Sequence, residues 1–358
     1  MNTTASPGTA TAPVPPAAAP APAGDGGTLR LGTRRSMLAM AQSGQVAEAV
    51  RRVTGRPVEL VEITTYGDTS REHLAQIGGT GVFVSALRDA LLRGEIDFAV
   101  HSLKDLPTAA AEGLTLAAVP RREDPRDALV ARDGLTFAEL VAGDRPARIG
   151  SGSPRRMAQL NAWARSLGRR IETVPIRGNI DTRLGYVRSG ELDAVVLAAA
   201  GLTRIGRLGE ATELLDPAHV LPAPGQGALA VECAAHNTAL AARLAELDDP
   251  HTRLAVTAER SLLAALEAGC SAPVGALSDL SSTSGLRWSG GGPMADGQDV
   301  TEMRLRGVVG EIDGSSLVQL STTGPVPASQ GEAAALGREL ATEMLAKGAA
   351  GLMGERAL

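Results

Sequence analysis

The sequence predicts an α/β protein in which two domains of related build face one another across a cleft, followed by a small α+β unit. Two internal echoes and the pattern of the C-terminal part predict this architecture. Residues 29–36 (LRLGTRRS) and 147–156 (ARIGSGSPRR) each read as a strand, a glycine turn and a helix start. Residues 94–100 (GEIDFAV) and 190–196 (GELDAVV) each lead into an apolar run typical of a buried parallel strand. A cleft between two such units is a common ligand site.

Length and composition are those of an ordinary globular protein. The chain has 358 residues, 44% of them hydrophobic and 21% charged, which is enough for two or three domains. Two cysteines argue against a disulfide framework and for a reducing compartment. No apolar run approaches ~20 residues, so we predict no membrane span. The net charge of -5 argues against nucleic-acid binding.

The N-terminal segment is predicted to be a disordered tail. Residues 1–27 are mostly Ala, Pro, Thr and Gly, and they lack the basic start and continuous apolar core of a secretory signal. Such a segment buries too little apolar surface to order itself. The first domain is therefore expected to begin near residue 28.

Arginines beside glycine turns predict an anion site. Each glycine turn of the first echo opens a helix, and helix N-termini attract anions. Guanidinium groups match carboxylates and phosphates alike, so the pattern favours a small polyanionic ligand without separating the two chemistries. The competing interpretation, that arginines merely solvate the surface, holds for most single ones. The arginines in question are Arg34, Arg35, Arg155, Arg156, Arg177, Arg183 and Arg204.

A polar segment follows the first apolar strand directly. In residues 101–108 (HSLKDLPT), Ser102, Lys104 and Asp105 come at the carboxyl end of the strand, which faces the ligand crevice in parallel sheets. Lys104 and Ser102 are candidates to hold substrate anions, and Asp105 is a candidate to transfer protons or stabilise a cation. A helix-capping cluster is the competing interpretation, because Ser and Asp commonly cap helices.

Cys270 is the most informative single residue. An apolar stripe over residues 254–266 predicts a helix that runs up to it, and Gly269 and Pro273 stop that helix. A helix C-terminus does not lower a thiol pKa, so the position suits a permanent covalent link at least as well as acid–base catalysis. The competing interpretation is a small buried hydrophobe. Cys233, the other cysteine, is predicted to pack in the core.

The C-terminal part predicts a small α+β unit. Residues 303–309 and 317–320 read as strands, and residues 331–347 read as a helix. Residues 278–299 are rich in Ser and Gly and are predicted to form a loop.

Taken in order, these segments resemble the porphobilinogen deaminase (hydroxymethylbilane synthase) family of porphyrin and heme biosynthesis. Each stretch alone is a modest signal, and the series in the family's order over about residues 28–278 is the specific one. The matching stretches are residues 32–39, 101–107, 153–156, 177–179, 197–202, 222–228 and 259–275.

The resemblance implies a three-domain fold. Domains 1 and 2 are expected to be α/β units like type II periplasmic binding proteins, with the active cleft between them. Domain 3 is expected to be a small α+β unit that carries Cys270 on a loop pointing into the cleft. The implied bounds are 28–122 and 222–245 for domain 1, 123–221 for domain 2 and 246–358 for domain 3.

The resemblance also implies the chemistry. Family members carry a dipyrromethane cofactor, here expected on Cys270 through a thioether. Four porphobilinogen units are added head to tail, each losing ammonia, and hydrolysis releases the linear tetrapyrrole hydroxymethylbilane. The thioether bond is made once, so no base need activate Cys270 during turnover. The resemblance further implies a cytoplasmic monomer with no membrane or nucleic-acid partner and no metal.

Roles carry over from the family residue by residue. Asp105 matches the catalytic carboxylate, expected to hydrogen-bond pyrrole nitrogens, assist loss of the amine and stabilise the azafulvene cation. Each pyrrole carries acetate and propionate groups, which explains the need for many cations. Cofactor contacts are expected from Lys104, Ser153, Arg155, Arg156, Arg183 and Arg204. Substrate contacts are expected from Arg34, Ser36, Gln42, Phe83, Ser102, Arg177 and Asn179.

The chain departs from the family pattern at Thr80, where many relatives have lysine, and at Ala268, where glycine is common. Neither change removes a residue that the chemistry requires. Two other functions stay open. A non-catalytic protein of the same two-domain fold that binds polyanions would use the cleft and leave Asp105 and Cys270 without a role. A thiol-dependent hydrolase would need a histidine near Cys270, and His101 is its one plausible partner.

Overall fold

A computed structural model describes residues 26–64, 81–268, 272–282, 287–288 and 300–353, without the side chains of residues 81–83 and 287–288. The strands are β1 (Leu29–Thr33), β2 (Val58–Glu62), β3 (Phe98–Ser102), β4 (Leu114–Ala118), β5 (Asp127–Ala131), β6 (Ala147–Ser151), β7 (Ile171–Pro175), β8 (Ala194–Ala198), β9 (Glu213–Leu214), β10 (Leu229–Ala234), β11 (Val274–Ser282), β12 (Arg287–Trp288), β13 (Val300–Gly310) and β14 (Leu317–Pro325). The helices are α1 (Met37–Thr54), α2 (Gly81–Leu92), α3 (Phe137–Val141), α4 (Pro154–Ser166), α5 (Ile180–Arg188), α6 (Ala199–Arg204), α7 (Thr238–Leu244), α8 (Pro250–Ala265) and α9 (Gln330–Ala346).

The first two sheets have the same strand order. One runs β2-β1-β3-β10-β4 and the other β7-β6-β8-β5-β9. In each sheet the first three strands are parallel, and the fourth strand is antiparallel to the third. The predicted pair of related α/β domains is therefore confirmed.

The sequence echoes occupy equivalent positions in the two sheets. A Cβ added to Gly32 in β1 would lie 2.3 Å from Ile96 Cδ1, and one added to Gly150 in β6 would lie 2.5 Å from Leu192 Cδ1. The glycine of one echo thus makes room for the apolar residue of the other.

The acidic residues of the second echo, Asp97 and Asp193, also make equivalent hydrogen bonds in the two sheets. Asp97 accepts from the backbone N–H of Arg30 at 2.7 Å, and Asp193 accepts from that of Arg148 at 2.8 Å. Each carboxylate thereby fixes the start of the first parallel strand against the third. The two glycines and the two aspartates thus have equivalent structural roles in the two sheets. This equivalence supports related domains more strongly than the sequence similarity alone.

Two crossing segments join these sheets. The first runs from β4 in the first sheet to β5 in the second, and the other returns from β9 to β10. They touch at Gly227, whose φ is +87° and where a Cβ would lie 2.5 Å from the Glu123 carbonyl oxygen. Glycine is required there because both the backbone conformation and the close approach exclude a side chain. The domain bounds given above stay a prediction.

The third sheet is antiparallel, with the order β12-β11-β13-β14, and α8 and α9 pack against it. Its core contains Leu262 of α8, Leu340 and Met344 of α9, and Leu305 of β13. The helices approach closely at Gly337, where a Cβ would lie 2.3 Å from the Ala258 carbonyl oxygen. The predicted C-terminal α+β unit is confirmed.

The predicted loop over residues 278–299 is wrong at its start. Strand β11 continues through Ser282 and pairs with β13. Ser278 is buried, donating its N–H to Glu259 at 2.9 Å and its hydroxyl to the Ala255 carbonyl at 3.1 Å. These partners satisfy its polar groups, so a serine-rich run lies inside a sheet. Residues 283–286 and 289–299 lie outside the described residues. In the described part of the chain, no helix is long and apolar enough to cross a membrane.

Candidate active site

The site lies where the carboxyl ends of the parallel strands meet the crossing segments. Strand β3 ends at Ser102 beside Leu229, the first residue of β10. Strand β8 ends at Ala198 beside Asp127, the first residue of β5. Both junctions are at the edge of the sheet where α/β proteins place ligands.

Residues 102–107, here called the β3 turn, begin at the last residue of β3. Leu103–Asp105 form one turn of 3-10 helix, and the side chain of Asp105 is exposed. Ser102 makes no side-chain cap bond to this turn. Its hydroxyl instead accepts from Gln42 Nε2 of α1 at 3.0 Å. The helix-capping interpretation of Ser102 is therefore wrong, and Gln42 and Ser102 are brought together as the predicted site requires.

His101 precedes the β3 turn in strand β3. Its Nε2 lies 3.3 Å from Glu232 Oε2 of β10, and both side chains are buried. Arg88 of α2 donates to both oxygens of the same carboxylate, at 2.9 and 2.7 Å. This buried group gives His101 a structural role, which removes the support for a Cys–His hydrolase.

Lys104 is joined to the second sheet through one glutamine. Its Nζ donates to Gln226 Oε1 at 3.1 Å, and Gln226 Nε2 donates to Asp127 Oδ1 at 2.8 Å. Burial is the main cause that lowers the pKa of Lys104 to about 8. Neighbouring arginines add to this shift, and the carboxylates of Asp105 and Asp127 oppose it. The ammonium thus shares one charge cluster with groups from both sheets.

Arg155 and Arg156 enter this cluster from the first turn of α4. Arg155 Nη1 lies 2.8 Å from Asp127 Oδ2, and Arg156 Nη2 lies 2.7 Å from Asp127 Oδ1. Burial alone would raise the pKa of Asp127, but the two guanidinium groups outweigh it and hold that pKa well below its usual range. Two buried cations therefore share one buried carboxylate, which leaves a positive excess.

Arg183 of α5 and Arg204 of α6 add to that excess. Arg183 Nε donates to the Gly178 carbonyl at 2.9 Å, and Arg204 Nη2 donates to the Gly227 carbonyl at 2.6 Å. Burial lowers the pKa of each to about 10, and for Arg183 the charge of Arg156 acts in the same direction. A carbonyl does not neutralise a cation, so both groups keep charge for a ligand.

The remaining candidate side chains have mixed surroundings. Ser36 Oγ accepts from Ala39 N–H at 3.2 Å as the N-cap of α1, and Asn179 Oδ1 accepts from Thr182 N–H at 2.9 Å as the N-cap of α5. Ser153 begins α4 without a side-chain cap bond. Arg34 and Arg177 are half-buried. The two α/β domains approach each other at α1 and α6, where a Cβ on Gly201 would lie 3.7 Å from Leu38 Cδ2.

Several predicted residues lie outside the part of the chain that the structure describes. These are Cys270, the side chain of Phe83, and Thr80. Helix α8 ends at Ala265, five positions before Cys270. Cys233 is fully buried in β10, and burial, with Glu232, raises the pKa of its thiol to about 11. Its predicted packing in the core is confirmed, and a buried neutral thiol is a poor nucleophile.

The described residues fit a polycarboxylate cofactor. The Nε atoms of Arg155, Arg156 and Arg204 are buried, with no hydrogen-bond partner among the described residues. Buried donors of this kind normally have a partner, and a carboxylate is the usual one for a guanidinium. A dipyrromethane carries several carboxylates, so the donor set and its positive excess match this group.

Gln226, Asp127 and the buried Arg122–Glu259 pair were not predicted as site residues from the sequence. Arg122 Nη1 and Nη2 donate to Glu259 at 2.7 and 2.9 Å, and Arg122 Nε donates to the Gln226 carbonyl at 2.7 Å. The available signal was position: Gln226 stands between two glycines, and Glu259 interrupts the apolar face of a predicted helix. Neither pattern indicates which residue the side chain hydrogen-bonds in the folded protein.

Two sequence-family models match the chain. Residues 29–242 match "Porphobilinogen deaminase, dipyromethane cofactor binding domain", and residues 253–346 match "Porphobilinogen deaminase, C-terminal domain". Porphobilinogen deaminase 1 of Streptomyces avermitilis is 78% identical over 330 residues, covering 92% of this chain and 98% of its own. The porphobilinogen deaminase of Thermobifida fusca is 56% identical over 324 residues, covering 89% and 94%.

Among solved structures, a periplasmic binding protein of Salmonella typhimurium with high arginine specificity is 16% identical to the chain. It covers 63% of this chain and 96% of its own, with a TM-score of 0.35. A likeness at that level carries no weight, so the fold rests on the strand order of the sheets.

Proposed function

The chain belongs to the porphobilinogen deaminase family, and we propose that Asp105 is its catalytic carboxylate and Cys270 its cofactor anchor. The enzyme is a transferase that condenses four porphobilinogen molecules on a dipyrromethane primer and releases hydroxymethylbilane. One observation carries the assignment of the site. An exposed carboxylate follows β3 directly, beside a cluster in which Lys104, Arg155 and Arg156 surround the single buried carboxylate of Asp127.

The cation cluster binds the acetate and propionate groups. Arg183 and Arg204, which donate hydrogen bonds to the Gly178 and Gly227 carbonyls, are the best placed to gain a carboxylate partner, because such a partner offsets the cost of burying their charge. Lys104, with a pKa of about 8, is largely protonated at neutral pH and adds a further cation. When bound, the dipyrromethane supplies the free pyrrole position at which each chain begins.

Asp105 acts on the substrate as ammonia leaves. Its carboxylate accepts hydrogen bonds from pyrrole N–H groups and stabilises the positive charge that develops on the ring. Exposure of its side chain leaves it accessible to substrate, and the bulk of the substrate then displaces water and strengthens the ionic contact. The neighbouring Lys104 is held away by its bond to Gln226.

We further propose that the enzyme acts as a cytoplasmic monomer. The family resemblance supports this, and the use of two cysteines without a disulfide framework is compatible with a reducing compartment. Gel filtration with light scattering measures the mass in solution, and a dimer would contradict the proposal.

The two cysteines provide a matched test of the anchor. The purified protein is expected to exceed its sequence mass by roughly 420 Da, two porphobilinogen units after loss of ammonia, with the excess on the peptide that contains Cys270. Cys270→Ala should abolish this excess, whereas Cys233→Ala should retain it because that thiol is buried and neutral. An excess that survives in Cys270→Ala would refute the anchor. An unmodified protein that gains no mass with porphobilinogen would support a binding-only protein.

A further inference from the structure

Arg260 of α8 contacts the backbone of the β3 turn. Its Nη1 donates to the carbonyl oxygens of Leu103 at 3.1 Å and Leu106 at 3.0 Å, and its Nη2 donates to that of Pro107 at 2.7 Å. One guanidinium group from the C-terminal unit thus holds three carbonyls of a six-residue turn. The bonds are charge-assisted and converge from a planar fork, which fixes direction as well as distance.

The turn has few bonds of its own. Leu106 N–H donates to the Leu103 carbonyl at 3.1 Å, and Leu103 N–H donates to the Ala228 carbonyl at 3.0 Å. A single 3-10 turn of this kind is weakly held by its backbone alone. The three bonds from Arg260 therefore contribute much of what fixes the backbone on both sides of Asp105.

The same helix leads to the predicted anchor. The residue before Arg260, Glu259, accepts from Arg122, from Gly225 N–H and from Ser278 N–H, so α8 is fixed against both crossing segments and β11. Helix α8 then ends at Ala265, shortly before Cys270. One helix therefore contacts the turn that carries Asp105 and ends five positions before the proposed anchor.

We propose that Arg260 is a positioning residue: it sets the place of Asp105 relative to the chain that grows from Cys270. The inference rests on the proposed roles of Asp105 and Cys270. It predicts that loss of the guanidinium lowers the rate of each condensation without weakening cofactor attachment. A displacement of about 1 Å of a catalytic group can cost on the order of a hundredfold in rate.

Helix α8 also offers a matched control, Arg253, which lies two helical turns earlier. Arg253 pairs with Asp248 at 2.7 Å and reaches the carbonyls of Leu116 and Ala117 at 3.4 Å. It thus joins the same helix to the first sheet, and none of these bonds is to the β3 turn. Both arginines line a cavity of ≈ 190 Å³, where water has room to hydrogen-bond carbonyls freed by a shorter side chain. Glutamine variants at both positions are therefore expected to fold.

The experiment compares Arg260→Gln, Arg260→Lys and Arg253→Gln as purified holoenzymes. Arg260→Gln should keep the cofactor mass and a KM within a few-fold of wild type, and its kcat should fall roughly ten- to a hundredfold. Arg260→Lys, which has no fork, should be intermediate. Arg253→Gln and Arg260→Gln should lower the melting temperature to a similar extent. Arg253→Gln should do so with little change in kcat. Equal kcat values for Arg260→Gln and Arg253→Gln, or loss of the cofactor from Arg260→Gln, would overturn the inference.

A double-mutant cycle separates this inference from the proposed function. If Arg260 acts through Asp105, Arg260→Gln should reduce kcat much less in an Asp105→Glu background than in wild type, because the carboxylate is already displaced there. Fully additive losses would show that Arg260 acts by another route and would overturn the inference. Wild-type turnover by Asp105→Asn would instead refute the role of Asp105 itself.

Discussion

Asp105 is exposed, whereas Lys104 beside it is partly buried and hydrogen-bonded to Gln226. The two neighbours therefore have different surroundings: the lysine belongs to the cation cluster, and the carboxylate that we propose as catalytic is exposed. A carboxamide has nearly the same shape as a carboxylate but no charge. Replacement of Asp105 by asparagine thus isolates the electrostatic part of its role.

We expect Asp105→Asn to retain the covalent cofactor and to lose roughly a hundredfold or more in kcat, the cost of removing a group that stabilises developing charge. The rate of hydroxymethylbilane formation and the intact mass measure the two effects separately. Asp144→Asn, on an exposed surface loop, is the control and should leave both unchanged. Normal turnover by Asp105→Asn would contradict the assignment.

At the residue scale, the sequence predicted candidate site residues that the fold brings together, and it missed the residues that hold them in place. Lys104, Arg155 and Arg156 were recognised from their motifs, and they meet in one cluster. Asp127, on which both arginines converge, was not recognised, because it lies 28 positions before Arg155 and its function depends on a tertiary contact. Local sequence reports the type of a residue, whereas its partner is set by the fold.

Among the elements, β3, β10 and α2 are tied together by one buried carboxylate. Glu232 of β10 lies between His101 of β3 and Arg88 of α2. Burial would raise the pKa of Glu232, but the neighbouring His101 and Arg88 lower that pKa to about 2 from an ordinary 4.5. A depressed carboxylate pKa stabilises the fold above pH 4.5, and that stabilisation is lost as the pH falls from there towards 2.

Glu232→Gln should therefore lower the free energy of unfolding near neutral pH by on the order of 3 kcal/mol. The difference from wild type should shrink as the pH falls below 4.5, because protonation of Glu232 then removes the same charge. Urea unfolding curves at several pH values measure this difference. Glu95→Gln, which removes the partner of Arg93 from an exposed and solvent-screened pair, should show a much weaker dependence. A difference that does not change with pH would contradict the ionic role of Glu232.

The elements themselves were mostly predictable. The two echoes predicted strands, glycine turns and helices that the structure contains, because in both units the glycine and the acidic residue have a local structural task. Strand β11 was missed at residues 278–282 because serine is rarely found in buried strands. Here Glu259 and Ala255 satisfy the polar groups of Ser278, and no local pattern indicates those partners.

At the scale of the whole molecule, the three sheets are joined through one buried ion pair. Arg122 lies in the first crossing segment and Glu259 in α8, and both side chains are completely buried. Glu259 also accepts from Gly225 N–H of the returning segment at 2.7 Å and from Ser278 N–H of β11 at 2.9 Å. The carboxylate of Glu259 thus holds together the two crossing segments, which join the α/β domains, and strand β11 of the C-terminal unit.

Glu259→Gln leaves the buried guanidinium of Arg122 without a counter-charge, and we expect a loss of about 3–5 kcal/mol in the free energy of unfolding. Combining it with Arg122→Met removes the unpaired charge and should recover part of that loss, since an apolar side chain costs less to bury than a lone cation. Urea denaturation of the holoenzyme measures all three proteins, and Glu172→Gln in an exposed pair with Arg148 is the control. If Glu259→Gln were as stable as wild type, or if the double variant were no more stable than the single, this ion pair would not be what joins the three units.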